Sequence, residues 1–249
     1  MLTSAEVILL DVYDLHENDR IATMLSSAHG KVRGVARGAR RKYSRFAGAL
    51  QPLAKANVTW FHKEGRDLAR ISAVELVRPA RRLQSDLEGI LLGGCLAGHV
   101  LEFAQENDPS EHLYRLLDST LEALLAGVDR RLAARYFEAW TLRLAGIFPP
   151  PRRCPECGRS LERGAVLGAG DDALRCSGCG TGSPVSAAAV ELLLRIGREA
   201  LPALAADPPA AGVVAELEQL TGRIRRAFLQ HELKSYRVMQ EILCSPSRT

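Results

Sequence analysis

Cys154-Pro155-Glu156-Cys157 and Cys176-Ser177-Gly178-Cys179 are two C-x2-C knuckles separated by eighteen residues. Two residues between thiolates let one tight turn aim both sulfurs at a single ion. Two such turns supply the four tetrahedral ligands that Zn²⁺ accepts. Gly158 and Gly180 follow directly, where each knuckle must curl back. With sulfur in all four positions no place remains for water, so the spacing predicts one structural Zn²⁺ rather than a catalytic one. Disulfides and a redox dithiol are the alternative uses of such a quartet. Cys95 and Cys244 have no near partner in sequence and read as buried bystanders.

A second chemistry lies near the N-terminus. From Arg20 to Lys63 the chain carries ten Lys or Arg residues and no Asp or Glu, although its net charge is only +4. The rest of the chain is therefore acidic, at −6. A surface that needed only solubility would mix the two signs, whereas a concentrated block attracts polyanions locally. Its steepest part is Lys31, Arg33, Arg37, Arg40, Arg41, Lys42 and Arg45, interleaved with Gly34, Gly38, Tyr43 and Phe46. These seven cations are the expected nucleic-acid contacts, gripping phosphate with little sequence preference. Tyr43, Phe46 and Trp60 are candidates for stacking bases, with burial in a core as the competing use.

Other chemistries lack their residues. Neither G-x-x-x-x-G-K-[ST], G-x-G-x-x-G nor G-x-S-x-G occurs, and the six histidines are scattered with no i, i+4 pair. Asp171-Asp172 sits beside glycines and reads as a solvated turn. The expectation is a protein that is not an enzyme. The first residues lack the basic region of a secretory signal, and no apolar run is long enough to span a bilayer. A cytoplasmic chain without a membrane segment follows.

The elements that must position these residues fall into an α+β plan. Val7 to Leu15, Ile21 to Leu25 with alternating Ile21, Thr23 and Leu25, and Lys31 to Ala36 read as strands, with breaks at His16-Glu17-Asn18-Asp19 and His29-Gly30. Ala54, Ala56, Val58 and Trp60 repeat at period two. Lys63-Glu64-Gly65-Arg66 reads as a hairpin turn into Leu68 to Leu76. Five short strands in residues 1–79 predict an OB-fold barrel whose longest gap, Gly38 to Leu50, is its most basic part. After Pro79 the period becomes 3.6. Ser85 or Asp86 is placed to cap a helix with Leu87, Ile90, Leu91, Gly94, Ala97 and Leu101 on one face. Further stripes run from Leu113 to Leu125 and from Ala133 to Leu144, where Pro149-Pro150-Pro151 stops the pattern. Helical spacing resumes at Val190, breaks at Asp207-Pro208-Pro209, and runs from Val214 toward Leu243. The prediction is a helical domain over 80–151 and 184–249, interrupted by a four-cysteine zinc-finger insert over 152–183.

In that order the parts resemble the RecO family of bacterial recombination mediators and DNA-repair proteins, along nearly the full chain. The likeness rests on the run from His29-Gly30-Lys31-Val32-Arg33-Gly34 to Gly38-Ala39-Arg40-Arg41, then Ser44-Arg45-Phe46 and Leu50-Gln51-Pro52-Leu53. Leu144-Ala145-Gly146-Ile147-Phe148-Pro149 and His231-Glu232-Leu233-Lys234-Ser235 continue it. The resemblance implies binding to single- and double-stranded DNA, annealing of complementary strands, and work with RecR. It further implies loading of RecA onto strands coated by the single-stranded DNA-binding protein SSB, with contact to the SSB C-terminal tail, in the bacterial nucleoid. Arg130, Arg131, Arg135 and Arg143 are candidates for pairing with that acidic tail, with helix-surface salt bridges as the competing use. The quartet is not universal in the family, so zinc would stabilise the fold without a required role on DNA. An RNA-binding zinc-ribbon accessory protein is the alternative reading, and a DNA-processing enzyme with an unrecognised site is a third.

Overall fold

In the computed structural model, which describes residues 2–46, 48–62, 68–148, 150–170 and 173–244, the chain forms two compact units, Met1–Leu121 and Glu122–Thr249. The hairpin turn expected at Lys63-Glu64-Gly65-Arg66 and the Asp171-Asp172 pair lie outside the described residues.

The first unit opens with five strands: β1 (Leu2–Leu15), β2 (Asp19–Ser26), β3 (Gly30–Ala36), β4 (Lys55–Phe61) and β5 (Ala69–Arg78). The long β1 serves two neighbours. Its first half pairs with β4, from Leu2 opposite Phe61 to Ile8 opposite Lys55, and its second half pairs with β2 past an irregularity at Leu9/Asp11. The ring runs β1-β2-β3-β5-β4 and closes through a short parallel contact, Gly34 to Ala36 against Ala69 to Ile71. This is the five-stranded OB-type sheet expected from the sequence. Barrel-lining residues alternate cleanly on β3 and β4, where Val32, Ala36, Ala56, Val58 and Trp60 point inward.

On β2 the alternating Ile21, Thr23 and Leu25 do not line the barrel. Ala22 and Met24 line the barrel, while Ile21, Thr23 and Leu25 are buried outside it. The strand is covered on both sides, so its sequence is apolar throughout and carries no period that assigns a face. Helix α1 (Leu87–Phe103) packs on β1 within this unit. Asp86 caps it, accepting from the Gly89 N–H at 2.8 Å, as one of the two expected caps. Its buried side takes in only Leu91 and Ala97 of that stripe. Leu92, Cys95, Leu96, His99 and Val100 are buried, whereas Leu87 and Ile90 are half exposed. With apolar residues nearly all round, this helix has no polar stripe to reveal which side faces the barrel.

The β2–β3 turn is locked onto the segment after α1. The Lys31 N–H donates to the Gln105 carbonyl, and the Asn107 N–H donates to that of Lys31, both at 3.1 Å. Gly30 adopts φ +62°, and a Cβ there would lie 1.9 Å from the Asp108 backbone oxygen. Gly30→Ala should therefore destabilise the protein by about 2–4 kcal/mol, adding left-handed strain to a backbone clash. An unchanged thermal melting curve would refute that account. Helix α2 (Glu111–Ala126) is tied to the barrel by ion pairs: Asp118 takes Lys55 at 2.9 Å and Arg78 at 2.6 Å. Burial pulls the Lys55 ammonium down, but bonds to Asp118 and Glu6 outweigh it and hold its pKa above the usual value.

The second unit contains α3 (Arg130–Leu144), a two-stranded sheet of β6 (Ala165–Leu167) and β7 (Ser183–Val185), then α4 (Ala187–Ile196), α5 (Leu201–Ala206), α6 (Ala211–Leu229) and α7 (Lys234–Cys244). The final stripe read as continuous from Val214 is broken at Gln230, whose φ of 62° ends α6 in a left-handed cap. Phe228, read as part of that stripe, is exposed. Its position near the cap lets it leave the core that Leu217, Leu220 and Ile224 enter. Among the described residues, no helix is long and apolar enough to cross a membrane.

Helix α3 carries a polar centre that periodicity did not foretell. Glu138 accepts from Arg135 at 2.6 Å, from the Thr221 hydroxyl at 2.7 Å, and from the Tyr236 phenol. Arg225 lies over the Tyr236 ring, 3.7 Å from its centroid, and donates to Glu232 at 2.7 Å. All of these except Glu232 are buried. Arg135, expected on a helix surface, is buried here, and the apolar neighbours of Glu138 at helical spacing hid that carboxylate in the sequence.

Candidate nucleic-acid interface and metal centre

The basic segment becomes a platform because its apolar residues point one way. Between β3 and β4, Ala39, Phe46 and Leu50 are buried in the barrel core. The residues between these anchors, Arg40, Arg41, Lys42, Tyr43 and Arg45, are exposed, as is Arg37 just before them. Turn hydrogen bonds fix the path: the Arg41 N–H donates to the Gly38 carbonyl at 3.2 Å, and the Ser44 N–H to that of Arg41 at 3.0 Å. The Gly38 N–H donates to Asp19 Oδ1 at 2.8 Å. Apolar anchoring thus leaves the cations on one exposed strip and spares them the entropy of a wholly mobile loop.

The seven expected contacts are not equivalent in space. Lys31 is turned away, its Nζ donating at 2.8 Å to the Leu101 carbonyl near the end of α1. Arg33 lies on the outer face of β3, 3.3 Å from the Tyr13 hydroxyl. Arg40 meets Asp14 at 3.3 Å and the His16 carbonyl at 3.2 Å, and Arg20 shares the same Asp14 at 3.1 Å. Arg37, Arg41, Lys42 and Arg45 remain with Arg40 on the exposed loop. The block has no acid in sequence, yet folding places Asp14 and Asp19 against it. Neither could be found by reading the segment alone.

The three aromatic candidates also separate. Phe46 and Trp60 are core residues, 2% and 3% exposed, with His29 edge-on to Trp60 at 5.4 Å. Tyr43 is 90% exposed, with the Lys42 ammonium 5.6 Å from its ring centre. Arg45 covers the inner aromatic instead, 4.9 Å from the Phe46 ring centre.

In the second unit the four knuckle cysteines converge. Their Sγ atoms all lie within 4.8 Å of one another, and Cys157 and Cys176 are 3.6 Å apart. Tetrahedral thiolates about 2.3 Å from one ion stand roughly 3.8 Å from each other, so the quartet fits a metal ion. None of the four forms a disulfide, and Cys95 is buried as expected. The side chain of Cys244 lies outside the described residues.

Each knuckle closes on its own backbone. The Gly158 N–H donates to the Cys154 carbonyl at 2.9 Å with φ +71°, and the Gly180 N–H donates to that of Cys176 at 3.0 Å. Gly180 is required by contact rather than by its dihedral, since a Cβ there would lie 2.9 Å from Arg175 Cβ. The thiols are electrostatically unlike. The Cys176 backbone N–H leads in drawing the Cys154 thiol down to about 6, while hydrogen bonding with Cys157 leads in pushing Cys179 up to about 12. Four crowded thiols cannot all ionise without a cation, and a divalent ion that replaces their protons relieves this.

Of the four arginines considered for an acidic tail, two are committed elsewhere. Arg135 is buried against Glu138 and reaches Glu218 at 2.9 Å. Arg143 donates to the Leu193 carbonyl and lies 5.3 Å from the Trp140 ring centre. Arg130 is partly buried, and Arg131 is exposed.

Comparison with known proteins gives the same outline. The family model for the Recombination protein O N terminal matches residues 1–80, and that for the Recombination protein O C terminal matches residues 84–237. The chain is 36% identical over 233 residues to the DNA repair protein RecO of Anaeromyxobacter sp. (strain K), covering 91% of this chain and 89% of that one. It is 38% identical over 192 residues to the DNA repair protein RecO of Geobacter sulfurreducens, covering 76% and 78% respectively. To that of Koribacter versatilis it is 30% identical over 177 residues, covering 71% and 72%.

Proposed function

The chain belongs to the RecO family of DNA repair proteins, and from that membership we propose a non-catalytic mediator that holds DNA on the 37–46 loop. The observation that carries this reading is the loop's division of labour: apolar anchors in the barrel, cations in solvent. Annealing follows from neutralising two repelling backbones at one surface, and consumes no nucleotide. Single and double strands both offer phosphate, so both bind. Work with RecR, loading of RecA and contact with the SSB tail, in the nucleoid, complete the reading. They rest on the family resemblance.

In the same reading the quartet Cys154, Cys157, Cys176 and Cys179 holds one structural Zn²⁺. Four sulfurs fill the tetrahedron and leave no open position for chemistry. The ion's work is to join the two knuckles on either side of β6, while the loop on the barrel binds DNA.

With Lys31 held by the α1 end, six of the seven expected contacts are counted toward phosphate. If all six engage a single strand, log K falls with log salt at a slope of about −4. Reversing Arg41 and Lys42 to Glu should weaken binding by more than about tenfold, alike for all sequences. Reversing Arg40 alone should cost less, because Asp14 already offsets its charge. Fluorescence anisotropy at two salt concentrations checks this, and unchanged affinity at low salt would remove the loop from the interface. The function itself is tested by annealing complementary oligonucleotides, bare and SSB-coated, without ATP. Acceleration lost in the Arg41/Lys42 reversal supports the reading, and tighter binding to competitor RNA than to single-stranded DNA turns it toward RNA.

A further inference from the structure

We infer that Tyr43 is a base-stacking residue that gives the loop its preference for unpaired strands. The inference rests on the loop being the DNA interface. A phosphate grip alone gives no preference for single strands, because it sees only backbone charge, which is denser on a duplex. An exposed aromatic beside that grip adds a contact that a paired, stacked base does not offer.

Three observations single this residue out. First, folding removes the other candidates: Phe46 and Trp60 lie in the barrel core, where no base reaches them. Second, Tyr43 is 90% exposed although the loop buries Ala39, Phe46 and Leu50 around it. A large ring left in water within a segment that otherwise sorts its apolar groups inward has no packing role to explain it. Third, its backbone is fixed. Lys42 and Tyr43 are the two central residues of the turn closed by the Ser44 N–H on the Arg41 carbonyl, so the ring stands at a corner.

The charges complete the arrangement. Arg41 and Lys42 precede the ring in sequence and Arg45 follows, all exposed. A strand whose phosphates meet those cations carries its bases within reach of the ring face. Stacking on an aromatic face is tolerant of sequence, because every base has a π-face. The chemical class recognised is therefore an unpaired nucleobase within a phosphate backbone, without regard to its identity.

The test compares full-length wild type, Tyr43→Ala, Tyr43→Phe and the Arg41→Glu/Lys42→Glu variant. Probes are a labelled single strand, the same strand with abasic sites, and a blunt duplex of equal length. Tyr43→Ala should lose about tenfold on the single strand, within the range for one stacked base, with little change on the duplex. Its salt slope should stay that of wild type, since the ring neutralises no phosphate. Tyr43→Phe should retain binding, and wild type should bind the abasic strand about as weakly as Tyr43→Ala binds the normal one. Equal losses on single strand and duplex, or none on either, would overturn the stacking role. If the charge reversal also left all affinities unchanged, the loop would not be the interface and the underlying reading would fail with it.

Discussion

Cys154→Ser should lower metal affinity by several orders of magnitude and unfold the ribbon locally, while DNA affinity per folded molecule stays nearly constant. A structural metal joins segments that have little core of their own, so its binding energy is the ribbon's folding energy. Here the described ribbon offers a small apolar core, Leu161, Ala165, Leu167, Leu174 and Val185, and only three residue pairs between β6 and β7. Without the ion the four crowded sulfurs cannot all ionise, and nothing then joins the two knuckles. Metal content by mass spectrometry and amide exchange across 152–185 measure the two halves of the claim. Chelation of wild type should reproduce the exchange pattern. A metal-free mutant with full protection and an unchanged melt would sink the structural role. Loss of DNA binding by folded protein would instead place the ribbon in the interface.

Glu138→Ala should destabilise the Glu122–Thr249 unit by about 3–5 kcal/mol, the cost of breaking a buried charge pair from one side. Arg135 and Arg225 are 3% and 2% exposed, and a guanidinium cannot escape its charge by losing a proton. Burial pulls the Arg135 pKa down, but the carboxylates of Glu138 and Glu218 outweigh it and leave it raised. Removing Glu138 also takes away the carboxylate that the Tyr236 phenol binds, whereas the Thr221 hydroxyl keeps the Leu217 carbonyl at 3.0 Å. Because Glu138 joins α3, α6 and α7, its loss should loosen all three together. Glu138→Gln should cost less, since an amide oxygen still accepts from Thr221 or Tyr236. Urea unfolding read through amide exchange in these helices gives the size. A change below about 1 kcal/mol would mean that water compensates the arginines.

The site was partly legible. Two C-x2-C knuckles forced convergence, because within-knuckle spacing is local and one ion explains both. The basic block is visible as charge, but nothing in the sequence separates the seven cations of its steepest part. Chain tracing cannot see that Lys31 reaches the Leu101 carbonyl or that Asp14 sits between Arg20 and Arg40. The aromatic candidates looked alike for the same reason: Tyr43 and Phe46 share a segment and differ only in which way the loop turns them. Glu138 and Arg225 carry no signal in the sequence, and Arg135, expected on a helix surface, is buried, because nothing local distinguishes a buried charge from a solvated one.

Composition and period by themselves determined the element classes, the OB-type strand count, the metal quartet and the segment that carries positive charge. Each depends on neighbours within a turn or two, where spacing and chemistry are read directly. Tertiary structure alone decided which faces of β2 and α1 are buried, because a strand or helix apolar on both sides has no period to break the tie. It also decided which cations meet solvent and which aromatic stays outside. Those choices depend on groups tens of residues away, brought together only when the barrel closes and α1 packs against it.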